Sequence, residues 1–420
     1  MRQTAFFAPT ALLLLIPSAL SAQNPRDLVK EGSSALPKLQ EMLKDPSAEL
    51  RVEAVKAIVQ IGTQHSLDPL IIATRDSDPE VQIRATDGLV NFYLPDYVKF
   101  GLTASLKRAG SRLSAKFTGD NDQIVDSFIK PRPDVVEALG KLARGGIAME
   151  VRANAARAVG ILRGREAIPD LLEAVRSKNT DVIYESLIAF QKIRDPEVAP
   201  RISFLLRDLD SKVQIAAVET TGLLQNKEAL PGLLDVFNRT NKKPVRRAAL
   251  TAMAMIGDEA SRGVFLRSLT DKDEGLRAAA AEGLARLKNP ADVPVLEKAF
   301  AEEKKASPRI SMAFALVMLG KEEVSEFSPL QLLVNTLNST VRQGEAYALL
   351  IELARTPSVR NSLYSYLSGG TKDELIHLSR ILARSGDKDS VQHLETVSRN
   401  PDAEVAQEGL RALRTLKARL

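Results

Sequence analysis

The 420 residues contain no cysteine. That excludes disulfides, thiolate zinc sites, thiolate-held iron-sulfur clusters, CxxCH haem attachment and a cysteine nucleophile, all of which need the sulfur itself. Histidine is almost as scarce: His65, His377 and His393 are the only three, and none is spaced as HxxxH or followed by Glu. Charge of one sign is lacking too. Lys and Arg number 58 against 53 Asp and Glu, a net +5 that is thin for so long a chain and gives no argument for nucleic acid. No GxSxG elbow, Walker loop or GxGxxG fingerprint occurs. What remains, 44% hydrophobic residues and 26% charged ones, is the composition of a soluble chain that forms a core.

The amino terminus has an address of its own. Met1 to Gln23 reads MRQTAFFAPTALLLLIPSALSAQ, with one Arg near the start, an apolar stretch at Ala11 to Ile16 and small residues Ser18, Ala19, Ser21 and Ala22. A membrane-spanning helix needs about 20 apolar residues. The run from Phe6 to Ala22 falls short of that and is broken by Pro9 and Pro17. Residues 1–22 therefore read as a signal peptide, cut after Ser21 or Ala22, and the mature chain is expected to be exported, periplasmic or extracellular.

Beyond it the chain repeats itself. In LRVEAVKAIVQIG, Arg51 serves as an anchor: Ala54 and Val55 follow at three and four, Ala57 at six and Gly62 at eleven. Equivalent anchors fall at Arg51, Arg84, Arg152, Ile183, Gln214, Arg246, Arg277, Arg309, Arg342, Leu375 and Ala406, with steps of 31 to 33 residues except for one of 68. The small and apolar residues at three, four and six lie on one helical face. Gly62, Gly257 and Gly320 stand where a left-handed C-cap belongs. About six residues later Pro69, Pro169, Pro200, Pro231 and Pro294 open a second helix, where the missing N–H costs nothing. Each unit is a helical hairpin that cannot bury both apolar faces alone and must stack on its neighbours. The expected fold is all-α: an α-solenoid of about eleven two-helix repeats with one irregular insertion.

These residues resemble a known family. VRANAARAVGILRGREAIPDLLEAV, Val151 to Val175, is similar to the phycobilisome-lyase type of HEAT repeat, with its VRxxAAxALG helix and following AIPxLL helix. The likeness extends over roughly residues 36–94 and 134–420. It implies an aspartate six residues before the anchor arginine that pairs with it, as in Asp45 with Arg51, Asp78 with Arg84 and Asp271 with Arg277. It also implies that the anchor helices line a concave wall, with the positions five and nine beyond each anchor facing the groove. Read that way, Phe314, Met318, Tyr347 and Ile351 form an apolar patch across neighbouring repeats, flanked by Arg286 on one side and by Arg380 and Arg384 on the other. Apolar area with charged margins is a usual mark of a peptide or protein site. The alternative is that packing between repeats buries these side chains.

The step of 68 separates the chain into residues 23–94, a stretch at 95–133, and residues 134–420. The middle stretch reads as an insertion or a decayed repeat. Between Tyr97 and Thr118 it carries Lys99, Lys107, Arg108, Arg112 and Lys116 with no acid, and six of the 19 aromatics lie between Phe92 and Phe128. A basic, aromatic flap suits peripheral contact with an anionic membrane or an acidic partner. A local subdomain packed against the solenoid is the plainer alternative.

Chemistry is hard to find. The HEAT hydroxylases with two irons are marked by His-Glu pairs that this chain lacks, and repeat similarity alone does not imply a lyase. Asp120, Asp122 and Asp126 break EF-hand spacing at Ile124, and the SxxK matches at Ser127 and Ser385 lack their companion motifs. Asp373 and His377 read as a helix-surface pair. The expectation is a non-catalytic exported scaffold that takes a protein or peptide along its groove, without cofactor, metal or nucleic acid. A membrane-peripheral adaptor working through residues 97–118, and an enzyme of the HEAT lyase or hydroxylase type with an unrecognised site, are the competing readings. Oligomeric state is open.

Overall fold

The computed structural model describes residues 24–98, 123–126 and 128–420, and every regular element among them is a helix. The eleven anchors head eleven helices: α3 (Ala48–Ile61), α5 (Pro79–Tyr93), α7 (Met149–Leu162), α9 (Thr180–Ile193), α10 (Ser211–Leu223), α12 (Lys243–Ile256), α14 (Glu274–Leu287), α16 (Ala306–Met318), α18 (Gln343–Leu353), α20 (Lys372–Ser385) and α22 (Ala403–Arg419). Shorter helices alternate with them: α4 (Leu67–Ala73), α6 (Pro133–Gly145), α8 (Ile168–Ala174), α11 (Leu230–Arg239), α13 (Arg262–Ser268), α15 (Val293–Glu302), α17 (Pro329–Thr336), α19 (Pro357–Tyr364) and α21 (Ser390–Val397). Two leading helices, α1 (Pro25–Leu28) and α2 (Leu36–Met42), precede the first anchor. The architecture is that of an all-α solenoid. It divides into two compact units, one ending at Ala158 and one beginning at Val159.

Local chemistry starts and stops these helices. Ser47, Asn179, Asp210, Asp273 and Asp402 sit just before anchor helices and accept backbone N–H groups of the first turn, which would otherwise lack partners. At the other end Gly62 and Gly257 are left-handed caps, at φ 61° and 62°. Arg163, Arg194, Gln225 and Lys288 occupy the same place, eleven residues past their anchors, and hold φ of 54°, 62°, 53° and 54° without being glycine. Here the repeat geometry overrides the cost of a side chain in that region.

In the second unit, anchor helices pack backbone to backbone through small residues. A Cβ added at Gly222 would lie 2.6 Å from the Ala252 Cα, so α10 and α12 leave no room for a methyl group there.

Three sequence expectations are corrected. First, Arg84 is not the equivalent of Arg51. Gln82 is the fourth residue of its helix, as Arg51 is of α3, and its Nε2 donates to the carbonyl of Asp76, six residues back, at 2.8 Å. Arg51 and Arg277 donate in the same way to the carbonyls of Asp45 and Asp271, each at 2.9 Å. Arg84 instead pairs with Glu80 along its own helix, and Asp78 caps it.

Second, the acid six residues before an arginine does not form its ion pair. Asp45 turns its carboxylate to the N–H of Ser47. Arg51 instead grips the acid that opens the following repeat, with two hydrogen bonds of 2.8 Å to Asp76. Arg277 grips Glu303 in the same manner, at 2.6 and 3.1 Å. The ladder therefore runs between repeats. Two other anchor arginines lie over a ring of the preceding hairpin, Arg246 over Phe237 at 4.7 Å and Arg309 over Phe300 at 5.0 Å.

Third, Pro200 does not open an α-helix. It lies inside a 3-10 segment, Pro196–Arg207, as its fifth residue, where the missing N–H costs a backbone hydrogen bond that a first-turn position would not.

Among the described residues, the helix that follows α5 is α6, which begins at Pro133. Arg132, just ahead of α6, donates its N–H to the Tyr93 hydroxyl at 2.9 Å and pairs with Asp68 at 2.7 Å, tying the return of the chain to the first unit.

Candidate functional site

The site residues expected from the sequence lie on α14, α16, α18 and α20 of the second unit. Alanines pack on the inner faces of α14 and α16, and mainly leucine and isoleucine on those of α18 and α20. Phe314 does not line an open face: the ring is fully buried. Nearly the whole of α16 is apolar, and Ile310, Met312, Phe314 and Leu316 all pack inside. The cover above Phe314 comes from Arg286, whose guanidinium sits 5.4 Å from the ring centre.

That guanidinium is held by a polar cluster. Arg286 Nε and Nη2 donate to the two oxygens of Glu352 at 3.0 and 2.8 Å, and Nη1 donates to Glu282 at 3.3 Å. The other oxygen of Glu282 accepts from Ser311 at 3.0 Å. Burial pulls the Arg286 proton affinity down, but the Glu352 hydrogen bond and the charges of Glu282 and Glu352 outweigh it and hold the group above its ordinary value. Arg286 is thus a fixed clasp and not a free cation at the edge of a patch. Its reach of 66 residues passes over one whole repeat, which no period of about 32 residues signals.

What stays open is smaller and lies further along. Met318, Tyr347 and Ile351 are half-buried, while Arg380 and Arg384 are exposed. Arg384 lies 5.7 Å from the Tyr347 ring centre, and His377 meets the same ring edge-on at 6.1 Å. His377 Nδ1 is 2.7 Å from the Asp373 carbonyl oxygen, so the i, i+4 relationship runs through the backbone and not through the Asp373 carboxylate. Arg380 donates to Glu408 at 3.0 Å, and Arg411 shares that carboxylate at 3.3 Å. The Arg380 hydrogen bond holds Glu408 below its ordinary value despite its burial.

Sequence reasoning missed Glu352 and Glu408. Glu352 stands next to Ile351 and Glu408 two positions past its anchor Ala406, signals too common to single either out. Ser385 spends its hydroxyl on the Ile351 carbonyl, 2.7 Å away, which gives the SxxK match a structural role. Among the described residues no cluster of three or more His, Asp or Glu side chains is arranged to hold a metal, and no helix is long and apolar enough to cross a membrane. Lys99, Lys107, Arg108, Arg112 and Lys116, like residues 1–22, lie outside the described residues.

Stacked helical hairpins, linked by arginines that reach the next repeat, define the class. The family model for HEAT repeats matches residues 29–107, 175–254 and 231–317, and that for the PBS lyase HEAT-like repeat matches 151–177. The chain belongs to the HEAT-repeat family. No curated protein matches it. Solved structures with a similar course of the chain include an engineered protein, 20% identical, covering 91% of this chain and 98% of that one with a TM-score of 0.39. The complex of CpcE and CpcF of phycocyanin lyase from Nostoc sp. PCC7120 is 18% identical over 63% of this chain and 92% of that one, with a TM-score of 0.37. Importin beta is 13% identical over 93% of this chain and 58% of that one, with a TM-score of 0.48.

Proposed function

We propose that this protein is an exported, non-catalytic scaffold that binds another protein or a peptide on the face lined by its anchor helices. The observation that carries the reading is the open face around Tyr347. A half-buried tyrosine and isoleucine on a rigid helix, beside a stacked exposed arginine, offer the aromatic and guanidinium groups that dominate protein interfaces. Such a ring and cation are held in place before any partner arrives, which lowers the ordering cost of binding. The reactive-looking groups nearby are already committed, Ser385 to a carbonyl and Glu352 and Glu408 to arginines. Export rests on the pattern of residues 1–22, a charged start, an apolar centre and small residues before the cut.

The test is a photo-crosslinking amino acid placed at Ile351, with Lys298 on α15 as the control position. In cells that make the full chain, the Ile351 version yields a discrete protein adduct that mass spectrometry identifies, and the Lys298 version does not. Equal adducts at both positions, or none at either, overturn the assignment of this face. Sequencing the amino terminus of the mature protein checks export: a start at Ala22 or Gln23 supports it, and an intact Met1 overturns it.

A further inference from the structure

The charges around Tyr347 do not balance, and the imbalance specifies a ligand. Four cationic or potentially cationic groups lie on this part of the second unit: His377, Arg380 and Arg384 on α20, and Arg411 on α22. The carboxylates of the neighbouring helices are already taken. Glu408 serves both Arg380 and Arg411. Glu352 is held by Arg286 at 2.8 Å, and Glu345 by Arg342 at 3.0 Å. Among the described residues none reaches Arg384, whose one specific contact is the face of Tyr347. A guanidinium stacked on a ring keeps its donor edge free, and that fork matches a carboxylate.

The surroundings say what should accompany the carboxylate. Tyr347 and Ile351 lie one helical turn apart on α18, both half-buried, and present apolar surface alongside the free arginine. At one margin Arg286 and Glu352 close over Phe314, so the open surface stops there. At the other, Glu408 is neutralised twice over and does not repel an incoming anion. The face therefore offers one free cation next to a short apolar strip, and the unpaired acid of α20, Asp373, lies eleven residues before Arg384, about three helical turns away.

From this juxtaposition we propose that the Tyr347 and Arg384 face takes an acidic segment of a partner protein, a carboxylate side chain on the Arg384 guanidinium and an adjoining aliphatic side chain against Tyr347 and Ile351. The proposal rests on the scaffold reading above and adds the chemistry of the segment it binds. A basic segment meets Arg380 and Arg384 unfavourably. A neutral apolar one leaves the arginine without a partner.

The experiment uses the full mature chain and three fluorescein-labelled peptides: a soluble ten-residue sequence of alternating Leu and Glu, the same with Gln for Glu, and the same with Lys for Glu. Fluorescence anisotropy is read at low and at physiological salt. The Glu peptide is expected to bind at least about tenfold more tightly than the Gln peptide, with the advantage shrinking as salt rises. Arg384→Gln removes most of that advantage, whereas Arg355→Gln, at an exposed arginine in the turn after α18, does not. Both substitutions sit on the surface, and an unchanged circular dichroism melt shows that neither variant is unfolded.

Equal binding of Glu and Gln peptides, tighter binding of the Lys peptide, or an Arg384→Gln protein that keeps the full preference overturns the proposal. So does a failure of all three peptides to bind. The scaffold reading is judged separately by the Ile351 adduct. An adduct without acidic preference removes the ligand chemistry and leaves the scaffold; a missing adduct removes the face itself.

Discussion

Arg286 and Glu352 form a two-pronged ion pair, at 3.0 and 2.8 Å, between two anchor helices that are not neighbours in sequence order. The helix between them, α16, carries the buried Phe314 under the arginine. The pair thus covers the Phe314 ring and marks the place where the open face ends.

Replacing Glu352 with Gln keeps the shape and removes the charge. Arg286 then keeps Glu282 as its one charged partner, and the second unit loses up to about 1.5–3 kcal/mol, the usual range for a hydrogen bond to a charged group. Hydrogen exchange within α16 quickens. Denaturant titration and mass-resolved exchange measure the two effects, and unchanged protection of α16 would show that the clasp covers nothing.

Gly222→Ala reverses the usual helix rule. Alanine in a helix interior is ordinarily better than glycine by roughly 0.5–1 kcal/mol. Here the added methyl group meets the Ala252 Cα at 2.6 Å, so overpacking costs about 1–3 kcal/mol instead. Gly344→Ala is the control, since a Cβ there meets nothing within 4 Å. Comparison of the two denaturant midpoints decides the matter, and a Gly222→Ala protein at or above the parent midpoint contradicts the close approach.

Lys288 caps α14 at φ 54° and ψ 35° on an exposed site. A left-handed non-glycine residue costs roughly 1–2 kcal/mol, part of which glycine gives back by loosening the unfolded chain. Lys288→Gly is expected to stabilise by about 0.5–1 kcal/mol. The readout is an upward shift of the thermal midpoint, and a downward shift counts against the strain.

Acid weakens the ladder between repeats. The Arg277 hydrogen bonds hold the Glu303 carboxyl below its ordinary value of 4.5, against the pull of burial. A carboxyl lowered on folding contributes stability that is complete above its unfolded value and fades as pH falls through the folded one. Stability should therefore be flat near neutrality and drop below about pH 4.5. Glu303→Gln lowers the neutral plateau and shrinks the drop. Urea midpoints between pH 3 and 7 report both changes, and an undiminished acid slope in the variant assigns the effect to other carboxyls.

Much of this was legible in the sequence. The periodic alanines and the caps at Gly62 and Gly257 read correctly because each is set by neighbours within one or two helical turns. The two-residue slip at Arg84 arose because an arginine there mimics the pattern while Gln82 performs the bond to the carbonyl six residues back. At the candidate site, Tyr347, Ile351, Arg380 and Arg384 lie open to solvent in part or in full. Phe314 obeyed the same spacing and is nevertheless buried, since spacing along one helix carries no information about what lies over it.

By itself the sequence determined what is local and repeated: paired helices at a period of about 32 residues, the glycines where some of them stop, and the need of each hairpin for a neighbour, because propensity, capping and apolar period act over a few residues. The tertiary structure alone decided which charges meet. The partners of Arg51, Arg277 and Arg286 lie 25, 26 and 66 residues away, and that choice depends on how helices stack, a three-dimensional distance that no spacing along the chain encodes.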